Sequence, residues 1–340
     1  MDKTAALSYV YAKLSGMLAR SYVGARANKL LSVNSLQEVW AMLFVEEVPS
    51  VPESLLAQMI EKKAVADFIA EYIGIMRLFD RPQPVLLELL HSYDYANIKS
   101  VFSACAQNAR RMPDLFDTGE FALFNYDGWP DFSAVTEGTP VASYGGAPRL
   151  SECRAFDQMT DSLHITSVLD SVGSLPAGPR EALWRFLTEE YTLRNILWAL
   201  RLKVYYGFRP EEIRPLLAYY GGNGTKSDCI AGGALRILGL PTDSAQEWRG
   251  WKYARYLNPW EDGSVWNLDP RRFHQETKRH ITRKALALFH TMPCTDCAVF
   301  AWFKIKQHEL DCIRAACEGM RLNVEEGHVR ETSGLEREVR

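Results

Sequence analysis

Apolar residues recur along this chain with the period of an α-helix, and runs that alternate apolar and polar at strand length are scarce. Val65, Phe68, Ile69, Tyr72, Ile73 and Met76 fall at the i, i+3, i+4, i+7 spacing that gives a helix one apolar face. Strands need a period of two, because successive side chains on a strand point to opposite faces. An all-α fold class is the expectation. Proline and glycine cluster at 48–52, 81–84, 138–148, 175–179 and 221–224, which read as helix ends and loops. The stretch 121–148 is the least helical and is expected to hold a long loop or short strands.

The stretch 182–206 carries two apolar stripes. Leu193, Ile196, Leu197, Leu200 and Val204 form one; Tyr191, Trp198 and Leu202 form the other, with Asn195 between them. A helix apolar on two stripes is enclosed by neighbours, so this one is expected to be central. Trp248, Trp251, Tyr253, Tyr256, Trp260 and Trp266 lie close together in sequence and are expected to pack a core.

At 340 residues the chain exceeds the size at which one core usually keeps growing, so two or three subdomains are expected. Hydrophobic residues at 47% and charged residues at 24% are the balance of an ordinary globular protein. A net charge of -3 disfavours a dedicated nucleic-acid binder, which needs a concentrated basic field. No stretch approaches the roughly 20 apolar residues that span a bilayer. The start Met1-Asp2-Lys3-Thr4 lacks the basic and apolar regions of a secretory signal, and the seven cysteines are odd in number and scattered. Free thiols in a reducing cytoplasm are the expectation. From Glu325 onward the chain turns polar, and its end is expected to fray.

A shift of 98 residues aligns Tyr93-Asp94-Tyr95-Ala96-Asn97-Ile98 with Tyr191-Thr192-Leu193-Arg194-Asn195-Ile196. A further shift of 117 brings in His308-Glu309-Leu310-Asp311-Cys312-Ile313, where the isoleucine and the acid in second position survive. Tyr93 and Asn97 share a helix face with Leu86, Leu90 and Val101. An asparagine there must find partners, since an unmet buried amide costs about 1–3 kcal/mol. A bond to an adjacent helix in each unit is the expectation. Three copies of one helical unit imply pseudo-threefold architecture, with Tyr93, Asn97, Tyr191, Asn195, His308 and Cys312 as the structural repeat positions.

These residues resemble the V/A-type ATPase central-stalk subunit called C in bacteria and archaea and d in eukaryotes. Tyr9-Val10-Tyr11-Ala12-Lys13 is similar to the family's opening Tyr-x-x-Ala-Arg, with lysine replacing arginine. The stretches from Tyr93 to Lys99, from Glu190 to Lys203, and from Phe303 to Arg314 with Glu318-Gly319 are similar to its acidic-x-x-Asn-Leu-Lys signature and two further copies. Thr192 stands where the family favours an acid and Cys312 where it often has asparagine. The resemblance implies helical units over 1–115, 116–222 and 223–340, the last with a polar tail, arranged around a funnel. It implies a non-catalytic part that couples the rotating shaft to the membrane rotor ring for H+ or Na+ transport. The partners it implies are the central-shaft subunits and the proteolipid ring. Membrane contact comes through the complex, on the cytoplasmic side of the inner membrane. No cofactor, metal or nucleic acid is expected.

Other constellations are weaker. Gly221-Gly222-Asn223-Gly224-Thr225-Lys226-Ser227 resembles a phosphate-cradling loop, but Thr225 stands where glycine must precede the lysine. Cys294 and Cys297 have a CxxC spacing, and with His290 or His308 would supply part of a zinc site. A second close cysteine pair is missing, because Cys312 and Cys317 are five apart. Arg271, Arg272, Lys278, Arg279, Arg283 and Lys284 have helical spacing and are expected to form a solvated helix face. No catalytic constellation is visible. Two rival classes are a helical-repeat scaffold binding peptides, which needs a period of about 34–47 residues not found here, and a metal or thiol protein built on the CxxC.

Overall fold

A computed structural model of the chain describes residues 3–221, 224–260, 265–324, 327 and 329–330. Among these the structure is helical, with no strand. The α-helices in chain order are α1 Lys3–Leu18, α2 Asn28–Leu31, α3 Leu36–Leu43, α4 Glu53–Met76, α5 Pro84–Ala106 and α6 Phe132–Thr136. They continue as α7 Cys153–Ser171, α8 Ala177–Tyr206, α9 Pro210–Ile213, α10 Gly232–Leu235, α11 Pro270–Thr291 and α12 Asp296–Arg321.

The helix starts follow from local chemistry. Proline opens α5, α9 and α11, where its missing N–H would have no helical partner anyway. Ser35 caps α3 by accepting from the Glu38 N–H, Asp131 caps α6 and Asp269 caps α11. Acidic Asp296 in the first turn of α12 and Arg321 in its last complement the helix dipole.

The chain divides into two compact units. The first comprises Met1–Val10 and Ala66–Trp184, the second Tyr11–Val65 and Arg185–Arg340. In the first unit α5 packs against α7 over a largely aromatic core. Phe102 stacks on Phe156 with ring centroids 3.9 Å apart, and Phe132 and Tyr144 meet that pair edge-on. The stretch 121–148 contributes Phe124, Phe132, Val135 and Val141 to this core. It does so through 3-10 turns and the short α6, so the alternative of short strands is not realised.

Two core clusters of the second unit lie among the described residues. One gathers Leu193, Ile196, Leu200 and Leu202 of α8 with Trp248, Tyr253, Tyr256, Trp266 and Phe273. The tryptophan-rich stretch is thus a core, as expected, although Trp260 is exposed. Its residues 261–264 lie outside the described residues. Trp198 departs from the two-stripe reading, since it stands 43% exposed while Tyr191 and Leu202 are buried. The other core joins Leu30, Val39, Leu56 and Ile60 to Ile313, Ala316 and Cys317 of α12. Helices α11 and α12 pack on each other across the short connection 292–295.

Near its end the chain is not simply frayed. Val329 is buried in the second of these cores, and Arg330 donates to Asn28 Oδ1 at 2.7 Å. The rest of the polar stretch, Glu325, Glu326 and the residues from 331 on, lies outside the described residues.

Candidate functional site

The positions singled out by the repeat lie on α5, α8 and α12, and the two asparagines among them each hold a segment of irregular backbone. On α5, Asn97 Nδ2 donates to the Phe116 carbonyl at 2.8 Å while its Oδ1 accepts from the Phe116 N–H at 2.8 Å. One side-chain amide thereby satisfies both backbone groups of a residue outside any helix, which would otherwise lack partners. Tyr93 packs edge-on against the Phe116 ring at 5.2 Å. Asp94, fully buried, accepts from Thr118 Oγ1, the Leu123 N–H and the Tyr126 hydroxyl at 2.8, 3.0 and 2.9 Å. Burial raises its carboxyl above the usual range against the pull of these donors. The Tyr126 hydroxyl is pushed up too, by burial first and by the Asp94 charge second.

On α8 the same amide geometry recurs. Asn195 Nδ2 donates to the Ala218 carbonyl at 2.8 Å, and its Oδ1 accepts from the Ala218 N–H at 2.9 Å. Nδ2 also reaches the Ile230 carbonyl at 3.0 Å. Tyr191 is buried one turn earlier. Thr192 cannot accept as a carboxylate does; its hydroxyl donates to the Cys229 carbonyl at 3.2 Å. A carboxylate comes instead from the loop: Asp228, 6% exposed, accepts from the Tyr220, Ile230 and Ala231 N–H groups at 3.1, 3.0 and 2.8 Å.

On α12, Cys312 Sγ lies 3.7 Å from His308 Nε2, both buried. Burial, with Lys278 nearby, holds His308 down to about 4, so the ring is neutral at neutral pH. Burial likewise pushes the Cys312 thiol up to about 12. The acid in second position, Glu309, is 4% exposed and accepts from the Tyr22 N–H at 2.5 Å. The expected helix-to-helix bonds of the two asparagines are therefore corrected. Both reach backbone beyond a helix end, because helical N–H and C=O groups are already paired and irregular ones are not.

A charged network runs through the second unit beside these positions. Glu189 on α8 meets His280 at 3.0 Å and Lys284, both on α11. Burial alone would raise the Glu189 carboxyl, but the hydrogen bonds from Lys284 and His280 outweigh it and the net shift is downward. Glu190 pairs with Lys304 at 2.9 Å, and Lys278 with Asp311 at 3.0 Å. The basic stretch of α11 is thus largely paired, with Arg271 on Asp269 and Arg272 and Arg279 on Glu276. Only part of it forms the solvated face that its spacing predicts; Arg283 is exposed.

The CxxC splits at the start of α12. Cys294 is exposed with φ of 55°, whereas Cys297 is buried and its thiol is pushed up to about 11 by that burial. His290 is exposed at the end of α11, while His308 lies more than three turns into α12. Among the described residues no group of three or more His, Cys, Asp or Glu side chains is placed to hold a metal ion. In the glycine-rich loop Gly222 and Asn223 lie outside the described residues. Beyond them Thr225 bonds Ser227, and the Lys226 carbonyl accepts from Arg236. No described helix is long and apolar enough to cross a membrane.

The chain matches the ATP synthase (C/AC39) subunit family over residues 10–332. It belongs to that family. It is also 31% identical over 321 residues to an uncharacterized protein of Treponema pallidum (strain Nichols), covering 94% of this chain and 93% of that one. The long helices α1, α5, α8 and α12 of this C/AC39 family member carry the family-like stretches, and Asn97, Asn195, Asp94 and Glu309 within them bond backbone groups. Asp228 and the Glu189–His280–Lys284 group went unnoticed in the sequence. Asp228 left a local trace, an aspartate two and three residues ahead of the N–H groups it caps. Glu189 left none, because its partners lie 91 and 95 positions away.

Proposed function

We propose that this chain is a non-catalytic central-stalk subunit of a V/A-type rotary ATPase, seating the rotating shaft on the membrane rotor ring. The observation that carries the proposal is family membership spanning residues 10–332. In this reading the chain works mechanically, and the ring then moves H+ or Na+. Its partners are the shaft subunits and the proteolipid ring, and it lies on the cytoplasmic side of the inner membrane as a peripheral part of the complex.

Stiffness is what the task requires, and the interior supports it. Helix α8 has 30 residues, about 45 Å of continuous helix. Asn97 and Asp94 on α5, Asn195 on α8 and Glu309 on α12 are buried and met by hydrogen bonds, and a satisfied buried polar group favours one packing arrangement over its alternatives. The proposal includes three related helical units over 1–115, 116–222 and 223–340 around a funnel. The matched bidentate bonds of Asn97 and Asn195 support the relation of the first two units. Affinity purification of this chain from detergent-solubilised native membranes tests the role. Catalytic-head and ring subunits should co-purify in stoichiometric amounts, and their absence would contradict it.

A further inference from the structure

We infer that Arg194, Trp198, Arg201 and Tyr205 of α8 form a docking seam for an acidic amphipathic helix of a partner protein. The four residues are spaced 4, 3 and 4 apart, the interval at which one helix presents a seam to another. From first to last they extend about 16 Å along α8, three turns of helix. Trp198 is 43% and Tyr205 52% exposed on a helix whose Leu193, Ile196, Ala199, Leu200 and Leu202 are buried, and Tyr206 beside them is 66% exposed. At its far end the seam opens into a groove of about 470 Å³ lined by Val204, Tyr205, Val265, Trp266, Leu268 and Arg271. Tryptophan, tyrosine and arginine are the residue types that carry most binding energy at protein interfaces.

Charge selects the occupant. Arg194 is exposed and has no carboxylate partner among the described residues. Among the described residues Arg201 meets the ring of His274, at 3.3 Å, and no carboxylate. That ring is held down to about 4 by burial and by the Arg201 and Lys278 charges, so it is neutral at neutral pH. Lys203, two residues from both Arg201 and Tyr205 and so turned to another side of α8, donates to the Leu238 and Leu240 carbonyls. Asp269, which also lines the groove, is committed to Arg271 and to the start of α11. Two arginines one seam-repeat apart, Arg194 and Arg201, with no carboxylate on either among the described residues and with Trp198 and Tyr205 alternating with them, are complementary to a helix that carries carboxylates beside apolar side chains.

The inference rests on the assembly role proposed above, because it requires a protein partner. Its test uses the full chain and, as probe, the remaining subunits of the cognate complex purified without it. Trp198→Ala and Arg194→Glu are compared with wild type and with Arg283→Glu, a charge reversal on the exposed side of α11. Circular dichroism and thermal unfolding verify that each variant is folded. The seam predicts binding weakened by about tenfold or more in both seam variants, unchanged in the control, and weaker still at higher ionic strength. Wild type and seam variants binding equally well would overturn the seam and leave the assembly role intact. Wild type failing to bind would overturn both. A loss confined to binding of anionic phospholipid vesicles would overturn the protein-helix reading in favour of a lipid surface. Self-association of wild type that Trp198→Ala abolishes, seen by sedimentation, would overturn it in favour of a second copy of the chain.

Discussion

An asparagine on the apolar face of a helix is stable only if its donor and acceptor are both met, and Asn97 and Asn195 meet theirs in the same way. Replacing either by leucine leaves a backbone N–H and carbonyl unmet in a largely dry place, at a cost of about 1–3 kcal/mol for each group. Asn195→Leu should be the more damaging, because the Ile230 carbonyl loses its donor as well. Urea midpoints at unchanged slope would measure both losses, and variants as stable as wild type would contradict the clamp account. His308 makes a pH prediction. Its folded value of about 4 lies below the ordinary 6.5, so the unfolded chain binds the proton more readily. The stability it contributes is complete above pH 6.5 and is lost as the pH falls towards 4. Lys278 and Asp311 face the ring with opposite effects, and the neutral Cys312 thiol lies against it. Imidazole chemical shifts followed by NMR should show no titration of His308 near 6.5; a midpoint there would remove the argument.

At the scale of elements, the helices were legible because each buries a face with a period the sequence displays. One stripe of helix α8 was legible from Leu193, Ile196 and Leu200, which are all buried. Leu200→Ala should cost about 2–5 kcal/mol through the cavity it leaves. The clamps were half legible. Asn97 and Asn195 could be named from the repeat, but Phe116 and Ala218 could not, because irregular backbone can pair with any side chain that folding brings near. The exposure of Trp198 was hidden for a related reason, since a stripe reports a shared helix face and not what covers it. Close approach supplies a further test. A Cβ on Gly232 would stand 2.5 Å from the Lys226 carbonyl oxygen, and one on Gly233 would stand 2.9 Å from Thr192 Cγ2. Gly232→Ala should therefore destabilise by about 1–3 kcal/mol through forced backbone shifts, read as a lowered thermal midpoint. The thiols check the same packing. Cys229 and Cys294 should react with maleimide in the native protein, while Cys297, Cys312 and Cys317 should react only after unfolding, because only the first two are exposed.

For the whole molecule, membership of the ATP synthase (C/AC39) subunit family is the observation on which the proposed coupling role stands. A coupling part has a distinctive phenotype, because its loss separates two activities that an intact rotary machine keeps together. The decisive measurement compares ATP hydrolysis with ion transport in vesicles carrying the complex, with this chain present, removed and added back. Without the chain, the head should still hydrolyse ATP while transport is lost, and adding the purified chain should restore transport. If hydrolysis by the detached head instead vanished together with transport, and returned on adding this chain alone, the coupling role would be contradicted and a catalytic or regulatory one would take its place.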